Sequence, residues 1–142
     1  TTDPNAGSVM MVLEQGGRRI LFTGDADGEM EEAVADRAGQ VDFLKVSHHG
    51  SGTASTALFL HKVRTPAALV SCGRGNRHGH PRRETLERLE GAGVQVLRTD
   101  LLGAVTVEFG GTRTRWRSHR GARGEFRAAK AGKSPPGGEF ML

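Results

Sequence analysis

Apolar residues come in short runs along this chain, separated by glycine and polar positions. Ser8 to Leu13 is nearly all apolar and predicts a buried strand. Gln15-Gly16-Gly17 predicts a turn, and Arg19 to Thr23 returns as a second strand, so the pair reads as a hairpin. Gly24-Asp25 ends it. Asp27-Gly28-Glu29 opens a helix with acid in its first turn, where the helix dipole favours it. Met30, Ala33, Val34 and Ala38 fall on one face of that helix, and Gly39 stops it. Val41 to Val46 is the next strand and runs into His48-His49-Gly50-Ser51. Ser55 or Thr56 can cap a helix through Leu58, Phe59, Leu60 and Val63, closed by Pro66.

Ala67 to Ser71 reads as a strand of small apolar residues, and Gly73 to His80 as a loop. Pro81 sits where proline favours a helix start, and that helix carries Leu86 and Leu89 to Gly91. Val94 to Arg98 is a strand, Leu102-Gly103 a turn, and Ala104 to Phe109 the last strand. After Gly110-Gly111 the pattern ends. The order β-β-α-β-α-β-α-β-β predicts a layered α/β fold.

The 142 residues have the length of one domain. A hydrophobic fraction of 36% with 21 glycines allows a lean core and much loop. The single cysteine, Cys72, excludes an internal disulfide framework and a thiolate zinc cluster. No apolar run approaches the length that crosses a bilayer. Charge is uneven. Residues 111–142 hold eight basic and two acidic residues, net +6, which leaves −2 for residues 1–110 out of a total of +4. The expectation is a folded part, 1–110, and a basic, disordered tail, 111–142, able to attract phosphates.

Three stretches end on metal-capable side chains. Leu21-Phe22-Thr23-Gly24 delivers Asp25, Leu44-Lys45-Val46-Ser47 delivers His48 and His49, and the loop Asn76-Arg77-His78-Gly79-His80 adds two more imidazoles. Open α/β sheets build sites just beyond the carboxyl ends of their strands. Asp25 taken alone is a turn former or helix cap as readily as a ligand. If the chain is extended at His48 and His49, the two rings point opposite ways and only one faces a given cleft. Neutral imidazole suits zinc and similar divalent ions. Three roles stay open for His80: metal ligand, general acid to a leaving group, or hydrogen bond to phosphate. Arg74, Arg77, Arg82 and Arg83 surround the loop and offer either a grip on an anionic substrate or a solvated rim. His61 and His119 receive no role.

Taken together, "SVMMVL", "LFTGD", "DFLKVSHHGS", "ALVSCGRGNRHGHP" and "VQVLRTDLLGAVTV" resemble the C-terminal metallo-β-lactamase-like domain of ComEC-type DNA-uptake (competence) proteins over roughly residues 5–109. The motifs TGD, LKVxHHGS, NxxGHP and RTDxxG stand in family order. The resemblance implies an αββα sandwich with a two-metal hydrolase site, zinc or manganese, along its edge. It implies that Asp25 is the metal-bridging aspartate. It implies further that one of the adjacent histidines is a ligand of the second metal, His49 being favoured, and that His48 and His80 stand at the site as catalytic or supporting groups. Ser51, Asn76 and Arg77 are assigned to substrate.

The implied reaction is phosphodiester hydrolysis, a nuclease acting on DNA, single-stranded above all, during transformation. A membrane channel of the same or a partner protein is implied beside it. The implied place is bacterial, attached to the cell membrane and facing outward. The fold's main metal motif, of the form HxHxDH, belongs before the first strand read here. The expectation is therefore the C-terminal half of the domain, inactive or weakly active by itself, with open strand edges that invite self-association. The competing expectations are a hydrolase of small phosphodiesters and a non-catalytic remnant that binds DNA.

Overall fold

Alternate residues of the central strands face opposite ways, and both sets are apolar. That alternation sets the layers. The computed structural model describes residues 4–127 and 138–141. Strands β1 (Met11–Gln15), β2 (Arg18–Phe22), β3 (Phe43–Lys45), β4 (Ala67–Val70) and β5 (Gln95–Arg98) form one sheet in sequence order. β1 and β2 are the predicted hairpin, paired antiparallel from Met11↔Phe22 to Gln15↔Arg18. β2 to β5 run parallel, with Leu21 beside Leu44 and Leu44 beside Ala68.

Helices α1 (Gly28–Ala38), α2 (Ala57–Val63) and α3 (Arg83–Gly91) make the crossovers. Asp27 caps α1 by accepting from the Met30 amide at 2.9 Å, and Thr56 caps α2 through the Phe59 amide at 3.2 Å. One face of the sheet buries Leu21, Leu44, Val46, Ala68 and Val70 against Ala35, Phe59, Leu60, Val63 and Leu89 of the helices. The other face carries Ile20, Phe43, Ala67, Leu69 and Leu97, and a second sheet covers it.

That second sheet corrects the expectation of a disordered tail. β6 (Val105–Phe109), β7 (Arg113–Ser118) and β8 (Arg123–Arg127) form an antiparallel meander. β9 (Gly138–Met141) completes the order β8-β7-β6-β9. In β7 and β8, Thr114, Trp116 and Phe126 alternate with arginine, so one face is apolar enough to pack. Phe126 stacks on Phe43 with ring centroids 5.9 Å apart. Composition hid this period of two, because every outward position is charged or small. The disorder expected for residues 128–137 and 142 lies outside the described residues.

Two smaller corrections bear on the site. Pro81 does not open α3; it stands two residues before it, after a cis His80–Pro81 bond, and Arg82 occupies the cap position. The turn read at Leu102-Gly103 follows a short helix, α4 (Thr99–Leu102). Among the described residues, no helix is long and apolar enough to cross a membrane.

Candidate metal and hydrolase site

Parallel β2, β3 and β4 deliver their carboxyl ends to one edge of the first sheet, and the three sequence stretches meet there. Asp25 follows β2, the histidine pair follows β3, and the loop from Ser71 to His80 follows β4. The edge is tied across strands. His48 donates its amide to the Gly24 carbonyl at 3.0 Å, and the Ser47 hydroxyl donates to the Ala26 carbonyl at 2.5 Å.

His48 and His49 are not extended. Their backbones lie in the left-handed region, at φ 44°, ψ 45° and φ 54°, ψ 23°. The pair therefore forms a tight turn, and the opposite-facing arrangement expected of a strand does not occur. Left-handed backbone costs a non-glycine residue about 1–2 kcal/mol. Two such residues in succession persist only where the surroundings enforce them, as at many functional sites. Gly50 completes the turn at φ +80°, with Pro81 so close that an added Cβ would sit 2.7 Å from the proline Cβ. Arg82 N–H donates to the Gly50 carbonyl at 2.8 Å, which docks the His80 loop on the turn.

His49 Nδ1 lies 2.6 Å from the Ser71 carbonyl oxygen. A carbonyl only accepts, so Nδ1 carries the proton, and in the neutral ring Nε2 keeps a free lone pair. That Nε2 faces Asp25, 3.9 Å from Oδ1, and both side chains are about half exposed. A lone pair and a carboxylate facing each other at this distance make no hydrogen bond. A divalent cation with ligand bonds of about 2.0–2.2 Å fits between them, and a backbone carbonyl on the far ring nitrogen is the usual support for a metal-binding histidine. Among the described residues, no group of three or more His, Cys, Asp or Glu is placed to hold a metal ion. Asp25 and His49 fit a metal as two ligands, short of the three or four that zinc takes from protein.

The His48 ring stands 5.6 Å from the His80 ring and 6.4 Å from the His49 ring, centroid to centroid; His78 stacks on His80 at 5.7 Å. Burial pushes the His80 imidazole below its ordinary pKa, and the neighbouring His48 and Arg82 add to that. His49, Cys72, Gly73, Asn76, His78 and His80 line a cleft of about 200 Å³.

The residues assigned to substrate divide. Ser51 is buried, and its backbone carbonyl accepts from the Thr85 hydroxyl at 2.5 Å, so it ties α3 to the turn. Asn76 lines the cleft, but its amide is spent on the loop: it donates to the Gly73 and His80 carbonyls at 2.9 and 2.6 Å and accepts from the His80 N–H at 3.0 Å. It braces His80. Arg77 is exposed on the same loop.

Two features escaped sequence reasoning. Lys45, at the end of β3, is held below its usual pKa by burial, against the pull of the nearby Asp25 carboxylate, and its Nζ donates to the Val46 carbonyl at 2.8 Å. Thr99 accepts from the Cys72 N–H at 2.9 Å and donates to the Cys72 carbonyl at 3.0 Å, next to the Ser71 carbonyl that orients His49. The RTD motif was the only signal for that brace.

The model of the metallo-beta-lactamase superfamily matches residues 1–74, just over half of the chain. The chain belongs to the metallo-beta-lactamase superfamily. Its layered α/β architecture with a largely parallel first sheet is that of a metallo-beta-lactamase-like fold.

It is also similar to competence proteins. It is 35% identical over 109 residues to recombination protein 2 of Haemophilus influenzae, covering 77% of this chain and 14% of that protein. It is 35% identical over 111 residues to competence protein ComA of Neisseria gonorrhoeae, covering 76% and 16%. It is 33% identical over 107 residues to ComE operon protein 3 of Bacillus subtilis, covering 74% and 14%. This metallo-beta-lactamase chain thus spans 14–16% of the length of these relatives.

Proposed function

We propose that this chain carries part of a metal-dependent phosphodiesterase site that cleaves DNA within a DNA-uptake protein. The observation that carries the reading is the facing pair, Asp25 Oδ1 and His49 Nε2, at 3.9 Å with the far nitrogen of His49 already engaged. Similarity to proteins named for competence and recombination supports DNA as the substrate, and single-stranded DNA is the form proposed. Action beside a membrane channel at the bacterial cell surface belongs to the same proposal and rests on the motif resemblance of residues 5–109 alone.

Asp25 and His49 would hold a divalent ion, zinc or manganese. When bound, such an ion supplies an activated water and neutralises charge on a phosphate. The other residues do the rest. His48 and His80, with ring centroids 5.6 Å apart, would present ring N–H groups to phosphate oxygens. Burial, followed by the neighbouring His48 and Arg82, holds the His80 imidazole below its ordinary pKa, which favours the neutral ring as proton acceptor or hydrogen-bond donor. Asn76 fixes the position of His80 through two hydrogen bonds to its backbone and is itself anchored on the Gly73 carbonyl.

The test is metal binding by the purified chain, followed by cleavage assays. Weak manganese or zinc uptake that Asp25→Ala and His49→Ala each abolish supports the reading; uptake indifferent to both overturns it. Cleavage is then compared on single-stranded DNA, duplex DNA and bis(p-nitrophenyl) phosphate. Metal-dependent loss of single-stranded DNA is expected. Turnover of the small ester alone removes DNA as the substrate.

A further inference from the structure

The outer face of β6, β7 and β8 has three cross-strand rows. In antiparallel pairing, directly opposed residues share a face. Arg113 opposes Arg127; Glu108, Arg115 and Glu125 form the middle row; Thr106, Arg117 and Arg123 form the third. All five arginines are exposed. The acids at these register positions are Glu108 and Glu125, the latter paired with Arg113, and Glu139 of β9 opposite Glu108, so the face sets five arginines against three acids.

Two of the rows set arginine directly against arginine. Like charges at opposed positions destabilise a sheet, and nothing in strand packing calls for them. A bound polyanion removes that repulsion. The rows are about 6.8 Å apart along a strand and neighbouring strands about 4.8 Å apart, so the charges form a compact grid. Arg115, Arg117 and Arg123, together with Glu108, Glu125 and the Trp116 ring, border an open concavity of about 390 Å³. Exposed planar guanidinium groups suit phosphate, which they can grip through two parallel hydrogen bonds.

We infer that this arginine face is a docking surface for the phosphate backbone of single-stranded nucleic acid, separate from the Asp25–His49 site. It deepens the proposed function by giving the strand a second hold, but it needs neither metal nor cleavage.

Fluorescence anisotropy of the full chain with a labelled oligothymidine, in chelator, tests it. Binding should weaken about 20- to 100-fold between 50 and 200 mM salt, the fall expected for three to five phosphate contacts on a single strand. The Arg115→Gln/Arg117→Gln/Arg123→Gln variant should lose at least 10-fold in affinity and show a shallower salt slope. The matching lysine variant, which keeps the charge, should retain most of the binding and controls for folding. Arg37→Gln, at an exposed arginine of α1 outside this face, should bind like the wild type. An equal loss of binding there would show an unspecific charge effect and overturn this face, as would unchanged binding in the glutamine triple variant. Binding to anionic phospholipid vesicles without binding to the oligonucleotide would assign the face to a membrane instead and overturn the proposal. Metal uptake at Asp25 stands or falls independently of all these readings.

Discussion

Asp25 Oδ1 and His49 Nε2 face each other across 3.9 Å with no hydrogen bond between them. The Ser71 carbonyl fixes the ring of His49, and the end of β2 fixes the carboxylate. Asp25→Ala should therefore abolish metal uptake and any cleavage while leaving the fold intact. The side chain is half exposed, so thermal stability should change by no more than about 0.5 kcal/mol. A large fall in melting temperature would show that Asp25 works as a structural cap instead.

Gly50 should tolerate no side chain. Alanine there meets Pro81 at 2.7 Å and keeps an unfavourable φ of +80°. Gly50→Ala should cost about 2–4 kcal/mol in denaturant unfolding. It should also disturb the ring resonances of both His49 and His80, because the turn and the loop are docked at this point. A neutral effect would mean that the loop yields easily.

Glu31 carries a stability prediction of its own. It is fully buried on α1, its Oε2 accepts from the Ser55 N–H at 2.5 Å, and its Oε1 has no hydrogen-bond partner among the described residues. Burial pushes its pKa from 4.5 to about 8, against the lowering effects of the Ser55 bond and Arg88. The folded state thus holds a proton that the unfolded state releases. The stability this gives is full below pH 4.5 and is lost as pH rises toward 8, at about 1.4 kcal/mol per pH unit. Glu31→Gln should flatten that decline and be more stable than the wild type at pH 8. Parallel curves for the two proteins between pH 5 and 8 would show that Glu31 ionises without cost.

His80 should titrate below 6.5 in an NMR pH series. Its environment is partly buried and cationic, with His48 the nearest contributor after burial itself. His48→Ala should raise the midpoint. A midpoint at or above 6.5 in the wild type would restore a protonated His80 at neutral pH and with it the role of acid to the leaving group.

Much of this protein was legible from pattern alone. Strand β4 is buried at all four positions, on both faces of the sheet, so its run Ala67–Val70 is continuously apolar. Helices α1 and α2 carry caps, at Asp27 and Thr56, that a sequence reader can see. The meander of β7 and β8 was hidden by arginine. A strand with one charged face and a few apolar residues on the other reads as a solvated tail until a partner sheet is known to lie beneath it.

The residues alone determined which chemistry is on offer: a carboxylate, a histidine pair and a histidine loop, each at the end of an apolar run, because a strand end is where a buried chain meets solvent. Tertiary structure decided which of them meet. Parallel pairing brought Asp25 to His49, although 23 positions separate the hairpin from the next strand in the register Phe22↔Lys45. Docking of the β4 loop put the Ser71 carbonyl on Nδ1 and turned Nε2 toward the acid. The left-handed turn at His48 and His49 is likewise a product of contacts from Gly24, Pro81 and Arg82. Local preference opposes that conformation, so no reading of the sequence near it could have shown it.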